Sequence, residues 1–453
     1  MTTTSKRLLP VLLLVSGFCG ISYEILYTKL LGNMLGNQFT ISAAVLLTFL
    51  GGIGLGTLYA HRFVRLLWLI EAGIGMYAVF ILLSYGWIDR LLYSGVPWLG
   101  VSMVACAVVS VVLLAIPAFL VGCSVPLFAA YLSTLRSTHV FAITYGIYNF
   151  GAALTALTLE FVLLRVVGLS TATLLLAWLN VAVALALVLL VRSAPILPEP
   201  QQARLSFKAR DLSALFLASV ASAIFQLMMI KVAEFIFGPY NETFALVLAT
   251  VLLGIAAGAM LAGALRLSFE SALIITLVGL ALLLALLPSA VSLYALMYPN
   301  VVNTYPLLVL LKLGLILALM GVPAIGFGAT IPTLLHEHQD VARESGQLLF
   351  VSSMANVLGF CLMAFLLHRF FDYALPPCRV DGAGRHRRSL LPGAIPARAG
   401  GGLPGRGRVP RGSTPGPRAH GCSKSLDADG TTGRIASRRP RFSQRGVACP
   451  YSR

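Results

Sequence analysis

Ser16-Gly17-Phe18-Cys19-Gly20-Ile21-Ser22-Tyr23-Glu24 continues through Tyr27 and Lys29 to Gly51-Gly52-Ile53-Gly54-Leu55-Gly56, setting a carboxylate, a lysine and a run of glycines inside two apolar segments. The stretch recurs. Moved by 202 positions, Tyr23-Glu24 meets Phe225-Gln226, Lys29 meets Lys231, Gly36 meets Gly238, and Gly52 and Gly56 meet Gly254 and Gly258. Ten of the 43 ungapped pairs from Val15 to Thr57 are identical, more than apolar composition alone would give. The reading is a diverged internal repeat.

The 453 residues are 58% hydrophobic and 11% charged, which excludes an ordinary soluble domain and points to a polytopic membrane protein. The net charge of +17 does not point to nucleic acid, because +13 of it falls from Pro376 onward, where 16 Lys plus Arg stand against 3 Asp. Seven cysteines show neither a CxxC nor a Cys/His spacing, so neither a disulfide framework nor a metal site is indicated, and no cofactor is expected in this chain. Lys6-Arg7 before an apolar run resembles a signal peptide. Phe18 is too bulky for a cleavage site, however, and the repeat runs through it, so the first helix is expected to be retained.

A helix needs about 20 apolar residues to cross a hydrocarbon core of about 30 Å. Such segments lie near residues 8–28, 39–60, 66–87, 98–132, 141–165 and 171–192, and then near 212–236, 243–265, 270–290, 303–335 and 346–368. The fourth and tenth are long and carry the same interruption. Pro117, Gly122 and Pro126 match Pro323, Gly328 and Pro332 at a constant offset of 206. Proline removes a backbone donor, so a kinked or broken helix beside a cavity is expected at both places, with a plain kink as the alternative. Gly151 pairs with Gly359 at an offset of 208, extending the repeat to the eleventh segment.

The expected fold is therefore all-α. It comprises two parallel repeats of about six transmembrane helices, the last of them missing or disrupted, and a basic C-terminal tail. Residues 1–193 form repeat 1, 194–211 a cytoplasmic linker, 212–375 repeat 2 and 376–453 an Arg/Gly/Pro-rich tail expected to be disordered. One reading makes the tail an out-of-frame translation of a GC-rich gene, and the other a genuine basic tail for anionic lipid or nucleic acid. Its Gly400-Gly401-Gly402 lacks the strand and helix that a nucleotide loop requires. A cytoplasmic N-terminus puts eleven Lys and Arg inside against five outside, so N-in is expected.

Ionisable groups within spans are costly and are the first functional candidates. Glu24, with Tyr23 and Tyr27, combines a carboxylate with aromatic faces suited to an organic cation; Gln226 stands at the equivalent place without the charge. The bland alternative is that Lys29 snorkels and Glu24 pairs with it or with a polar neighbour. Glu71 is the second carboxylate candidate, while Glu270 serves as a helix-start residue and Glu160 and Lys312 as structural pair members. Gly52 with Gly56, and Gly254 with Gly258, are small residues four apart and mark helix packing.

The run Ser16-Gly-Phe-x-Gly-Ile-x-Tyr-Glu-Ile-Leu-Tyr-x-Lys-Leu-Leu, the segment Phe49-Leu-Gly-Gly-Ile-Gly-Leu-Gly, the Glu71 segment and Gly168-Leu-Ser-Thr resemble the membrane part of bacterial spermidine synthase-like proteins. These are relatives of polyamine aminopropyltransferases. The resemblance covers roughly residues 8–375 and departs at Lys29, where arginine is commoner. It implies a following doubly wound synthase domain using decarboxylated S-adenosylmethionine, of which this chain carries no motif, so no catalytic residue is assigned. What it implies here is an inner-membrane domain that binds or transports polyamines or related organic cations, with the lipid bilayer as partner and no specific nucleic acid. The alternatives are a stand-alone secondary transporter of another small solute and a non-transporting anchor or scaffold for a synthase.

Overall fold

A computed structural model describes residues 3–35, 39–90, 103–135, 139–193, 207–335 and 341–367. The tail from residue 376 and most of the 194–211 linker lie outside the described residues. Eleven helices carry these segments: α1 Thr3–Leu35, α2 Phe39–Tyr59, α3 Leu67–Arg90, α4 Met103–Ser133, α5 Val140–Thr158, α6 Gly168–Ser193, α7 Ala209–Phe237, α8 Asn241–Leu265, α9 Phe269–Val301, α10 Tyr305–Leu334 and α11 Val341–Cys361. α7 begins within the expected linker, with Asp211 in its first turn, where an acid suits the helix dipole. At α9, Ser268 caps the helix by accepting from the Ser271 N–H, and Glu270 lies in the first turn.

Among the described residues, ten continuous helical runs are long and apolar enough to cross a membrane. The longest, Ala43–Arg90, has 48 residues because a 3₁₀ stretch, Ala60–Leu66, joins α2 directly to α3. Contacts with α4 show that this run folds back on itself. Going from Gly52 to Gly56, α2 follows α4 from Ala118 to Gly122, so the two are parallel. Going from Glu71 to Tyr77, α3 passes from Ser124 to Leu113 of α4, so it is antiparallel.

Glycines decide how closely the helices approach. A Cβ at Gly52 would collide with Ala118, and one at Gly56 with the Phe119 carbonyl. In the second half, Gly254 meets Ala324 and Gly258 meets the Ile325 carbonyl in the same manner. α1 lies along α5 through Gly17 on Tyr148 and Gly151 on Leu14, while α7 lies along α11 through Gly359 on Val220. Among the contacts that join the earlier helices to the later ones, Gly54 of α2 lies against Ser353 and Met354 of α11, and Gly146 of α5 against Ala256 and Met260 of α8.

α4 and α10 stay helical through Pro117 and Pro126 and through Pro323 and Pro332, so the expected break is not a break in either helix. A proline forfeits one ladder bond; on the turn beside it a neighbouring helix packs closely, Gly122 on Ile53 of α2 and Gly328 on Ile255 of α8. Helix irregularity falls elsewhere, in π turns at Leu159–Leu163 after α5 and Leu362–Leu367 after α11.

The outer faces are apolar. Met76, Phe80, Leu83 and Trp87 of α3, Leu175, Trp178 and Leu185 of α6, and Ile274, Leu277 and Val278 of α9 are exposed. A surface of that kind associates in water but matches lipid tails. The chain is a multi-pass membrane protein.

Candidate functional site

Four helices converge on Glu71, which is 0% exposed. Ser16 Oγ of α1 donates to Glu71 Oε1 at 2.7 Å and Ser124 Oγ of α4 donates to the same oxygen at 2.9 Å. Asn180 Nδ2 of α6 donates to Oε2 at 3.2 Å. The carboxylate thus ties α3 to three neighbours. Around it, Cys19 offers its thiol to the Leu176 carbonyl at 3.8 Å, and Tyr148 lies across α1 with its hydroxyl against Gly20. Sequence reasoning named Glu71 but missed Ser16, Ser124 and Asn180. Asn180 carried the available signal, an amide in the middle of an otherwise apolar span.

Glu24 lies apart from Glu71. Ser16, which binds Glu71, is eight residues before it on α1, about 12 Å along a helix rising 1.5 Å per residue. On one side of Glu24, Ile21 and Ile25 pack on the α5–α8 cluster of Ala152, Ala153 and Leu252. On the other, Tyr23 and Tyr27 stack with ring centroids 5.7 Å apart, and Tyr27 meets Phe49 of α2 at 6.3 Å. Gly17 and Gly20, which face Tyr148, fall within about 40° of Glu24 at 100° per residue. Glu24 is therefore on the inward side of α1. Its side chain is half-buried, and among the described residues its carboxylate has neither a hydrogen bond nor an ion pair.

Tyr23 and Tyr27 do not turn free ring faces to a ligand, because they are 0% and 1% exposed and used in packing. What they leave over is polar: among the described residues, both buried hydroxyls lack a hydrogen-bond partner. Gln226 of α7 is half-buried, beside Phe225, whose ring packs on Phe327 of α10 at 5.7 Å. Pro117, Gly122, Pro126, Pro323, Gly328 and Pro332 are all buried in helix packing. Gly52, Gly56, Gly254 and Gly258 lie at the helix contacts described above.

Lys29 does not pair with Glu24. Its Nζ is 3.1 Å from Glu160 Oε2, in the π turn after α5. A second network was not legible beforehand: Arg165 Nη2 donates to Glu242 Oε1 at 2.5 Å and to the Tyr305 hydroxyl at 2.7 Å, and Tyr305 donates to Glu242 Oε1 at 2.6 Å. The Arg165 guanidinium lies over the Tyr305 ring. Lys312 is buried in α10 with Nζ 5.3 Å from the Tyr240 ring centroid.

Fold and site together define a multi-pass helical membrane protein in which, among the described residues, Glu24 is a half-buried carboxylate without a partner and Glu71 an enclosed one that three side chains satisfy. The chain matches no known protein-family model and no curated protein.

Proposed function

We propose that this chain is the membrane domain of a spermidine synthase-like protein and that it binds or moves a polyamine or related organic cation between two parallel copies of one helical unit. The two-copy architecture is supported by contact register. Moving each residue by its own offset converts Gly52–Ala118 into Gly254–Ala324 and Gly122–Ile53 into Gly328–Ile255. The same operation converts Gly54–Met354 into Ala256–Gly146, the pair that joins the copies the other way round. In transporters built of parallel repeats, solute sites lie near the midplane at the repeat interface.

The observation that carries the reading is Glu24: a half-buried carboxylate on the inward side of α1, without a partner among the described residues, where the second copy has Gln226. A carboxylate inside a span persists at high cost unless it meets a cation or lines a water-filled cavity. The substrate class and the placement in a bacterial inner membrane come from the sequence resemblance, and the N-in orientation from the arginine and lysine bias. In the same reading, the nucleotide sequence beyond codon 375, read in another frame, supplies the apolar twelfth helix of the second copy.

Spermidine binding to the full chain in lipid nanodiscs, with uptake into proteoliposomes, tests the function. Binding and uptake that fall at least tenfold in Glu24→Gln support it. Binding without flux favours the scaffold alternative, and absence of both with every polyamine tried removes the polyamine reading.

A further inference from the structure

The Glu71 cluster has a chemistry that the binding of an organic cation at Glu24 does not use. Every side chain that bonds Glu71 is neutral, and no lysine, arginine or histidine pairs with it among the described residues. The titratable groups within electrostatic reach are Cys19 and Tyr23 of α1 and Tyr148 of α5, while α4 and α6 contribute only Ser124 and Asn180. On α3 itself, Tyr77 donates to the Leu113 carbonyl, away from the acid. A carboxylate held there as an anion is enclosed without a counter-charge among the described residues, an unfavourable state that a proton relieves.

The neighbours are of the kind that serve both forms of an acid. A lysine or arginine could satisfy only the anion, whereas a serine hydroxyl donates or accepts and an amide offers NH₂ on one side and oxygen on the other. Asn180 is 1% exposed, and among the described residues its buried Oδ1 has no hydrogen-bond partner. With the anion, Nδ2 donates to Oε2. With the acid, a half-turn of the amide brings Oδ1 to accept a hydrogen bond from the Oε2–H hydroxyl, and the Glu71–Asn180 link survives. A small metal ion does not suit the place. The two hydroxyls already bond Oε1 directly at 2.7 and 2.9 Å, and no group of three or more His, Cys, Asp or Glu suited to a metal occurs among the described residues.

We propose that Glu71 is a reversible proton-binding site, with Ser16, Ser124 and Asn180 as its two-way partners, linking the protonation of α3 to its packing on α1, α4 and α6. As the coupling site of a transporter it rests on the function proposed above; as a proton site it does not.

Infrared difference spectroscopy of the full chain in nanodiscs, between alkaline and acidic buffer, tests it without any solute. The expected spectrum contains a protonated-carboxyl band that Glu71→Gln removes and Glu24→Gln leaves in place. Ser124→Ala, which keeps the carboxyl but removes a hydrogen bond from it, moves that band to higher frequency. A Glu71→Gln spectrum that retains the whole band overturns the proposal, as does a band unmoved in Ser124→Ala if the Glu71 variant fails to fold. A band lost in Glu71→Gln supports the proton site even where spermidine does not bind, so the two readings fail separately.

Discussion

Lys29 Nζ meets Glu160 Oε2 at 3.1 Å, and the pairing leaves Glu24, five residues earlier on the same helix, without a counter-charge. The pair binds the end of α1 to the π turn after α5, where one extra residue widens the helix at Glu160. Its side chains are 27% and 14% exposed, between the regimes of weak surface pairs and costly buried ones. Lys29→Met is expected to destabilise the protein by about 1–2 kcal/mol, and Glu160→Gln added to it to cost little more. Denaturant unfolding in mild detergent measures this; additive effects of the two changes would show that the pair contributes nothing.

The glycine contacts give a sharper contrast. A Cβ at Gly56 or Gly258 would strike a carbonyl of the next helix, whereas one at Gly51 has no atom within 4 Å. Gly56→Ala and Gly258→Ala are each expected to lower stability by about 1–3 kcal/mol through overpacking. Gly51→Ala is expected to be neutral or stabilising by up to about 1 kcal/mol, since glycine is the poorer helix former. Melting temperatures of the three variants decide it, and equal shifts for Gly51 and Gly56 would rule out the backbone contact as the cause.

Arg165, Glu242 and Tyr305 tie the turn after α5 to the starts of α8 and α10. Because Arg165 is exposed, the coupling energy from a cycle of Arg165→Gln and Glu242→Gln should be modest, about 0.5–1 kcal/mol, and should shrink as salt is raised. A coupling that is unchanged at high salt would mean that the contact is not electrostatic.

Under the proposed function, charge at the second copy's equivalent position should matter to a polyvalent ligand. Gln226→Glu adds a carboxylate on α7 and is expected to tighten spermidine binding by about 1 kcal/mol, roughly fivefold, with little effect on a monoamine. Calorimetry on nanodisc-embedded protein provides the comparison. Weaker spermidine binding in this variant would mean that Gln226 does not face the ligand.

Much of the fold could be read from the chain because a membrane leaves few options: apolar runs of sufficient length become helices, and glycines four apart mark where helices touch. Gly52, Gly56, Gly254 and Gly258 all lie at close contacts for that reason. Proline was the poorer guide. Pro117 and Pro323 suggested interruption, yet neighbouring helices seat on Gly122 and Gly328, and the helix survives the lost hydrogen bond. The Glu71 cluster was half-legible. An acid in a span is conspicuous, but Ser16, Ser124 and Asn180 come from three other helices, and no local pattern states which residues share a level. Tyr23 and Tyr27 mislead in another way, because spacing says that rings are near a carboxylate and says nothing of whether their faces are already covered.

The seven residues Ala60–Leu66 leave almost no slack between α2 and α3, since a 3₁₀ stretch advances only about 2 Å per residue and Ala60 and Val64 are buried in it. α2 carries Gly54, which touches α11, and α3 carries Glu71. With only a kink at Phe63 between them, α2 and α3 are neighbours in space as well as in sequence. The short turn sets one helix on the seam between distant parts of the sequence and the other on a single acidic side chain.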